Sequence, residues 1–507
     1  MIKLTIDGKP LEVEPGTNVL EAAAKLGIEI PHYCYHPDIG VDGNCRMCLV
    51  QVGEGTRKLP IACMLPCTEG LVVQTASPAV VKARKGVLEF LLINHPLDCT
   101  ICDQAGECPL QDYSYRFGPG DSRFLEDKGK KQKHVPFSDR VLFDGERCIL
   151  CTRCVRFFTE LRDSKPIGVV NMGGKSTISL GPNGPIDDPY QMNIIDVCPV
   201  GALTSRDFRF KQRVWFMDFA ETICPGCARG CNMTAGAYQN QLLRFTPRRN
   251  PDVNKSWMCD DGRLSYKAYN LERRTRGALV RGQPATIAQG LAEVAALVGD
   301  GSRAAVLAST ALTCEDLFAL ETWAGKAGIR ALWHGAASWA GDEFLKLPDA
   351  TPNTAGAKEL GFVLAPLLPG SPTPKPAGLA VLVVAGEVAV PPALLDGLDA
   401  LVIQAPLGGP LAEGASVLLP GRTPLESKGS FVNSTGHRQA VRPALDPGQG
   451  VPETWTLWRD LAGERWPTLQ HLQAAMAAAG SLPARRRVPS VAEQALSQPA
   501  LAGTMLP

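Results

Sequence analysis

The sequence predicts a multidomain protein with α+β and α/β parts, on the evidence of its length, its cysteines and its apolar pattern. The chain has 507 residues, of which 45% are hydrophobic and 20% charged, enough for several domains with separate cores. All but one of the 17 cysteines precede residue 260. After that point short apolar runs alternate with helical patterns, which is typical of a layered α/β domain.

The composition excludes several kinds of partner. The formal net charge is +1, so neither nucleic acid nor an anionic membrane is expected as a main partner. The most apolar stretch, residues 379–395, is interrupted by Glu387 and by Pro391–Pro392, so no direct membrane span is expected. The N-terminus lacks the features of a secretory signal. We expect a soluble intracellular protein, in which closely spaced cysteines indicate metal or redox sites rather than disulfides.

Residues 1–78 predict a β-rich domain with one short helix. Apolar and polar residues alternate along residues 2–13 around Asp7-Gly8, which is a hairpin signal. Asn18 is a candidate N-cap for a helix over Val19 to Lys25. A hairpin followed by a helix is ferredoxin-like.

The first cysteine group follows this helix and can hold a 2Fe–2S cluster. Its members are Cys34, Cys45 and Cys48, with a fourth thiolate from Cys63 or Cys67. The spacing alone does not choose between the last two. Gly40 and Gly43 lie in the ten-residue gap, where a loop must bend tightly around a cofactor. The alternative is a structural zinc site.

The second group lies in residues 79–118 and combines a histidine with three cysteines. Ser77-Pro78 predicts the start of a helix that runs to about Asn94. The group follows the helix with the spacing H-x3-C-x2-C-x5-C and consists of His95, Cys99, Cys102 and Cys108. A histidine at a helix end is usually a cap or a surface residue. Here no fourth cysteine is near, so we expect His95 to complete a 4Fe–4S site.

The third group, in residues 140–212, has the spacing of a bacterial ferredoxin. It consists of Cys148, Cys151 and Cys154, with Cys198 of a Cys-Pro pair as the fourth thiolate. One triplet and one Cys-Pro pair provide for a single 4Fe–4S cluster, with an inserted loop at about residues 168–189. Zinc is the less favoured alternative, because Cys-Pro-x-Gly-Ala is a ferredoxin feature.

The fourth group lies in residues 217–273 and again offers four thiolates. Its members are Cys224, Cys227, Cys231 and Cys259. Residues 234–246 between them predict two short strands with a turn at residues 239–241. A zinc ribbon is the alternative here, and the redox-type groups upstream favour a 4Fe–4S cluster.

Residues 274–470 predict the α/β domain, and residues 471–507 a helix followed by a loose tail with Arg485–Arg487 as a solvated run. Strands are expected near residues 304–306, 379–385 and 400–403, and helices over residues 291–298 and 316–328. Residues 367–378 are rich in proline and predict a surface linker or a shortened loop. No G-x-G-x-x-G or Walker motif occurs, so no flavin or NADH site is expected on this chain.

The cysteine groups, with their flanking residues, resemble one known family. The matching stretches are YCYHPDIGVDGNCRMCLVQV with IACMLP, VLEFLLINHPLDCTICDQAGECPLQD, and RCILCTRCVRF with IIDVCPVGAL. They cover most of residues 1–212 and are similar to the large iron–sulfur subunit of NADH:quinone oxidoreductase, respiratory complex I, known as the G subunit or the 75 kDa subunit.

The resemblance implies a fold and a set of cofactors. The fold is an N-terminal 2Fe–2S ferredoxin-like domain, a His/Cys 4Fe–4S domain, a bacterial-ferredoxin-like 4Fe–4S domain, a molybdopterin-type 4Fe–4S domain and a truncated molybdopterin-oxidoreductase-like α/β domain. The cofactors are one 2Fe–2S cluster and three 4Fe–4S clusters on the four groups. The resemblance selects Cys63 over Cys67, so that Cys67 and Cys314 remain as buried free cysteines. It also implies that the Cys224 cluster lies away from the main electron path.

The second half resembles the molybdopterin oxidoreductase fold more weakly, through Leu419 to Gln439. The resemblance implies that the molybdenum cofactor has been lost. The residue after Cys259 is Asp260, whereas the active enzymes usually carry a basic residue nearby. About 240 residues after Cys259 are also too few for the full set of cofactor-binding domains. No molybdopterin is therefore expected.

The function implied is electron transfer without a bond-making active site on this chain. Electrons would come from the flavin-bearing, NADH-oxidising subunit and leave towards the quinone-site subunits, in a complex that couples this transfer to ion translocation. The subunit would lie peripherally at the cytoplasmic face of the bacterial inner membrane. The alternative is a chain of a molybdenum-dependent formate dehydrogenase, which would need a metal-ligating residue in the second half.

Overall fold

The computed structural model of the chain describes residues 1–481, except residues 54, 57, 273, 372, 373 and 408. The chain divides into two compact units between Met217 and Asp218. The expected loose tail with its three arginines lies outside the described residues. No helix in the described part of the chain is both long and apolar enough to cross a membrane.

The first unit begins with a small mixed sheet and a helix. Its strands are β1 (Ile2–Ile6), β2 (Lys9–Val13), β3 (Gln51–Val52) and β4 (Leu71–Gln74), in the order β2-β1-β4-β3. The predicted β1–β2 hairpin is confirmed, and Asp7 and Gly8 adopt positive φ in its turn. Helix α1 covers Val19–Lys25 as predicted, and the side chain of Asn18 accepts a hydrogen bond from Glu21 N at 2.9 Å.

The rest of the first unit consists of short elements between long loops. They are α2 (Pro78–Leu92), α3 (Pro109–Phe117), β5 (Val135–Pro136), β6 (Val141–Phe143), α4 (Arg153–Arg156), β7 (Ile167–Val170), β8 (Thr177–Leu180), α5 (Asn193–Val197) and β9 (Leu203–Ser205). Ser77 caps α2, as predicted. The stretch predicted as an inserted loop differs from expectation, because β7 and β8 form an antiparallel ribbon within it. Both strands are rich in β-branched residues, which favour this pairing.

The second unit begins with a three-stranded antiparallel sheet. Its strands are β10 (Asp218–Ile223), β11 (Asn232–Tyr238) and β12 (Gln241–Pro247), followed by helix α6 (Asp260–Leu264). The predicted pair of strands is confirmed, and the turn between them is formed by Gln239 and Asn240, both at positive φ.

The remainder of the second unit is a layered α/β domain, as predicted. Its strands are β13 (Ala278–Val280), β14 (Gln283–Ala285), β15 (Ala304–Ala308), β16 (Ala331–His334), β17 (Val363–Leu364), β18 (Val381–Ala385), β19 (Ala400–Ala405) and β20 (Val417–Pro420), with the hairpin β21 (Gly429–Val432) and β22 (Arg438–Val441). Its helices are α7 (Ile287–Val298), α8 (Cys314–Lys326), α9 (Thr354–Glu359), α10 (Pro392–Leu395), α11 (Pro410–Glu413), α12 (Thr454–Ala462) and α13 (Leu469–Ala478).

The eight strands from β13 to β20 form one sheet. Their order is β14-β13-β20-β19-β18-β15-β16-β17, and the six strands from β20 to β17 are parallel. Every residue of the central strands β15 and β18 is buried. Apolar cores on both faces explain why these strands are continuous apolar runs rather than alternating ones.

A buried ion pair joins the elements of this domain. Glu315, in the first turn of α8, is fully buried and accepts hydrogen bonds from Arg438 Nη2 at 3.0 Å and from Ser430 N at 2.7 Å. Gln473 of α13 donates a further bond at 2.8 Å. The carboxylate therefore ties α8 to the β21–β22 hairpin and to α13.

We predict that Arg438→Met lowers the free energy of unfolding of the second unit by about 3 kcal/mol, because it leaves Glu315 buried without its cation. Seven of the eight tryptophans follow residue 217, so tryptophan fluorescence in a urea titration reports mainly on this unit. The control is Lys326→Met, since the pair of Lys326 with Glu464 is half exposed and contributes at most about 1 kcal/mol. Equal losses in the two variants would contradict the prediction.

Candidate metal centres

The first site lies between α1 and β4, where four thiols meet. The Cys34 thiol is hydrogen-bonded to those of Cys45 and Cys63, and Cys63 also contacts Cys48. The bonds from Cys45 and Cys63 hold the pKa of Cys34 well below its usual range. The structure thus brings the predicted set together, with three of the four cysteines buried.

Cys67 lies apart from this group. Its thiol is buried, which raises its pKa, and the charged side chains that act on it are Glu21 and Lys25 of α1 rather than other cysteines. Its backbone N–H donates to Thr17 O at 2.9 Å. The structure therefore places Cys63, and not Cys67, beside Cys34.

A glycine lets the first-site loop close tightly. Gly43 has φ +76°, and a Cβ atom at this position would lie 2.5 Å from the sulfur of Met64. A side chain at residue 43 would be strained by this positive φ and would displace the exposed side chain of Met64. The predicted tight bend in the ten-residue gap is confirmed here.

The second site surrounds a small cavity at the end of α2. His95, Cys99, Cys102 and Cys108 all line it, together with Asp98, Arg147 and Gly201. Cys108 precedes α3 directly, and Pro109 occupies the first helical position. Cys99 is exposed, whereas Cys108 is buried. The structure therefore assembles the predicted set of one histidine and three cysteines around one space.

His95 has the properties of a metal ligand. Its Nδ1 atom is buried and has no hydrogen-bond partner among the described residues. Burial, helped by the positive charges of Arg147 and Lys128, lowers the pKa of His95 to about 4. The imidazole is thus neutral near pH 7, with a lone pair for a metal. A capping role would instead leave the ring nitrogen bonded to a carbonyl group.

A charged network borders the second site. Arg147 is buried and donates to Asp98 Oδ2 through Nη2 at 2.9 Å, and Lys133 Nζ reaches the same oxygen at 2.8 Å. Lys133 also contacts Glu146 at 2.9 Å. The positive charges of Arg147 and Lys133 and the negative charges of their carboxylate partners therefore offset one another beside the second-site thiols.

The third site is an apolar cavity lined by the whole predicted set. Cys148, Cys151, Cys154 and Cys198 share it with side chains that include Phe143, Ile178 and Leu203. Leu150 and Thr152 adopt positive φ, so the C-x2-C-x2-C loop curls around the space, and Leu150 N points at Cys148 Sγ from 3.4 Å. Burial raises the pKa of Cys148 and of Cys198 to about 12.

The fourth site lies in the second unit, between the β10–β11 loop and the start of α6. Cys224, Cys227, Cys231 and Cys259 are all buried. A Cβ atom on Gly262 would lie 3.2 Å from the sulfurs of both Cys224 and Cys259, so these two thiols flank the same glycine. Gly262 N also donates to Cys259 Sγ at 3.3 Å. Burial raises the pKa of Cys259 to about 11.

The second and third sites have room for a cluster between their ligands. A zinc ion would require its ligands to converge at about 2.0–2.3 Å from one point. At the second and third sites the ligands instead line a space, and thiolates with an imidazole are ligands that iron–sulfur clusters accept.

The third site packs directly against the second. A Cβ atom on Gly201, three residues after Cys198, would lie 2.2 Å from Cys102 Sγ. Cys108 Sγ lies 3.9 Å from the carbonyl oxygen of Pro199. The Cys198–Gly201 segment is therefore shared by the walls of both sites, and residue 201 must be glycine for this approach.

The third site also packs directly against the first. Arg156 donates to the carbonyl oxygens of Cys34 and, at 3.1 Å, of Gly40, and Arg153 donates to that of Tyr35. In return, Asn44 Nδ2 of the first-site loop donates to Leu150 O of the third-site loop at 3.0 Å. The ring of Tyr33 lies between the first and second sites, since Cys45 and Cys108 both act on it, and its centroid is 5.4 Å from that of Tyr113. The third site is thus the one in direct contact with both others.

Sequence reasoning missed the arginines that join these sites. Arg147, Arg153 and Arg156 all belong to the third-site motif RCILCTRCVR. Their position next to the cysteines was visible, but a basic residue near a thiolate predicts only local charge balance. Which loop each guanidinium reaches depends on the tertiary fold.

Family models match the four cysteine-bearing regions. The matches are to the 2Fe-2S iron-sulfur cluster binding domain (residues 1–78), the NADH-ubiquinone oxidoreductase-G iron-sulfur binding region (84–123), the ferredoxin-like domain of NADH-quinone oxidoreductase subunit 3 (138–204) and the molybdopterin oxidoreductase Fe4S4 domain (217–270). They confirm the predicted fold class and show that the chain has domains of 2Fe–2S and 4Fe–4S binding types.

Curated relatives carry one consistent name. The G subunit of NADH-quinone oxidoreductase from Streptomyces coelicolor is 40% identical over 333 residues, which cover 64% of this chain and 39% of that protein. Over these residues the chain is similar to this subunit. The G subunit from Rickettsia bellii is 39% identical, with 65% of this chain and 49% of that protein covered. The mitochondrial 78 kDa subunit of NADH-ubiquinone oxidoreductase from Neurospora crassa is 38% identical, with 65% and 45% covered.

The matched part of the chain therefore covers less than half the length of these relatives. Among solved structures, a chain of the NAD+-reducing [NiFe]-hydrogenase in the H2-reduced state is similar, with 29% sequence identity and a TM-score of 0.38. That alignment covers 42% of this chain and 91% of the hydrogenase chain.

We predict that Cys63→Ser removes or alters the 2Fe–2S EPR signal of the reduced protein, whereas Cys67→Ser leaves it unchanged. The reason is that Cys63 contacts two other thiols of the first site and Cys67 contacts α1. Both cysteines are buried, so the second variant controls for loss of a buried thiol. The opposite pattern would place Cys67 in the site.

Proposed function

We propose that the chain is an iron–sulfur electron-transfer subunit of an NADH-quinone oxidoreductase. The observation that carries this proposal is the direct contact of the third site with both the first and the second. Three sites packed in this way within one unit suit the passage of electrons from one to the next. Homology to the G subunit supports the same function.

The proposed cofactors are one 2Fe–2S and three 4Fe–4S clusters. The ligand sets are Cys34, Cys45, Cys48 and Cys63 for the 2Fe–2S cluster; His95, Cys99, Cys102 and Cys108; Cys148, Cys151, Cys154 and Cys198; and Cys224, Cys227, Cys231 and Cys259. When bound, the clusters would accept and donate single electrons. The chain's own residues bury most of these cysteines, and the arginines of the third-site motif lie beside the three sites of the first unit.

The second site is where electrons would leave the first unit. Cys99 is exposed there, and the neighbouring side chains of Leu97 and Tyr115 are 87% and 92% exposed. These residues line a cavity of about 710 Å³ between α2, α3 and the segment after α3. Large exposed apolar side chains around a cavity are typical of a protein–protein interface. We infer that the partner subunit on the path to quinone docks on this face.

The entry side and the cellular setting follow from the same proposal. Electrons would reach the first site from the flavin-bearing, NADH-oxidising partner. The subunit would lie peripherally at the cytoplasmic face of the bacterial inner membrane, in a complex that translocates ions. No step of bond chemistry is assigned to this chain.

We also infer that the second unit binds no molybdopterin. Ligand crevices of open α/β sheets form where the strand order reverses, here between β15 and β18. A Cβ atom on Gly386, which follows β18, would lie 2.8 Å from the Cβ atom of Ser309, which follows β15. The loops after these two strands are therefore in contact. Cys314 is buried against Asn353 rather than open to a metal. Stoichiometric molybdenum in the purified protein would contradict this inference and favour the formate dehydrogenase alternative.

The test of the proposal is Cys154→Ser in the assembled complex. This variant disrupts the middle site, so we expect NADH:quinone activity to fall at least tenfold while NADH oxidation by a small soluble acceptor at the flavin persists. The wild-type chain should contain about fourteen irons by the ligand count.

The matched control is Cys314→Ser, which changes a buried cysteine outside the four sites. It should retain both activities. Full quinone reduction by the Cys154→Ser complex, or a colourless EPR-silent chain that contains zinc, would contradict the proposal.

A further inference from the structure

The segment between β16 and α9 covers the fourth site. It folds back on itself through the paired residues Ser338 and Asp349. Ala228 N donates to Asp349 O at 3.0 Å, and Arg229 Nε donates to Leu345 O at 2.9 Å. Both donors lie between Cys227 and Cys231. The covering segment, residues 335–350, is thus fixed to the loop that carries three of the four cysteines.

Two side chains of this covering segment reach the site itself. The indole of Trp339 lies 3.2 Å from the position of a Cβ atom on Gly226, between the first two cysteines of the group. The ammonium group of Lys346 lies 4.1 Å from the centre of the Trp339 ring, at cation–π distance. The Lys346 side chain is only 12% exposed. A positive charge is therefore held in place beside a buried set of thiols.

The ion-pair partner of Lys346 lies in helix α6, which begins directly after Cys259. Lys346 Nζ contacts Asp261 Oδ2 at 2.5 Å, and Asp261 is the second residue after Cys259. The Asp261 side chain is 48% exposed, so water screens it more than the lysine. The charges of both residues act on the Cys259 thiol, with opposite signs.

We propose that Lys346 and Asp261 are positioning residues whose opposite charges set the reduction potential of the cluster at the fourth site. A four-thiolate cluster is anionic and gains negative charge on reduction, so a nearby cation favours the reduced form and a nearby carboxylate the oxidised form. Trp339 holds the lysine over the site. This inference rests on the proposed cluster at Cys224, Cys227, Cys231 and Cys259.

The test compares Lys346→Met with Asp261→Asn in the purified full chain, by an EPR-monitored titration with dithionite and redox mediators. At a fixed applied potential, Lys346→Met should lower the reduced-to-oxidised ratio of the fourth cluster about tenfold, a change of about 59 mV for a one-electron couple. Asp261→Asn should raise the ratio by a smaller factor, because that carboxylate is half exposed. Lys346→Arg keeps the charge and should restore the wild-type value.

The control is Lys326→Met, which removes a half-exposed lysine of the same unit that is paired with Glu464. It should leave the ratio unchanged. Shifts of the same sign in Lys346→Met and Asp261→Asn, or no shift with the cluster signal intact, would overturn the inference while the proposed function stands. Absence of a fourth-cluster signal from the wild-type protein would overturn the ligand set and this inference together.

Discussion

The buried, positively charged guanidinium of Arg153 joins two sites of the first unit. It lies between Cys151 and Cys154 and donates to Val197 O at 3.3 Å, one residue before Cys198, and to Tyr35 O beside Cys34. Burial lowers the pKa of Arg153, and the nearby thiols Cys151 and Cys45 oppose that change. A buried cation is tolerated only with such partners. The first and third sites are therefore built around a shared charge and cannot be described separately.

The same ten-residue motif reaches all three sites of the unit. Arg147 lines the second site, whereas Arg153 and Arg156 donate to the backbone of the first. Cys198 completes the set of four cysteines with the three of the motif. It begins the short segment whose last residue, Gly201, packs against Cys102 of the second site. The third site is thus the structural centre of the unit as well as the middle of the proposed electron path. In the second unit the charged pair of Lys346 and Asp261 borders one site only. The two residues come from the covering segment and from the start of α6, which enclose the fourth site.

Short-range signals in the sequence predicted much of the fold, because they act over a few residues. Asn18 and Ser77 mark the starts of α1 and α2, and Asp7-Gly8 forms the first hairpin. The cysteine groups were also visible from spacing. The choice between Cys63 and Cys67 was not, since both fall within reach and only the packing of Cys67 against α1 separates them. The order in which the sites touch depends on residues more than 40 positions apart, such as Gly201 and Cys102, which no local pattern specifies.

The packing order first–third–second is tested most directly by the magnetic coupling between reduced clusters in the full chain, measured by pulsed EPR. The third cluster should couple more strongly to each of the other two in the first unit than these couple to one another, because its ligand loop contacts both while Tyr33 lies between the other two. A strongest coupling between the first and second clusters would contradict the third site as the middle of the path.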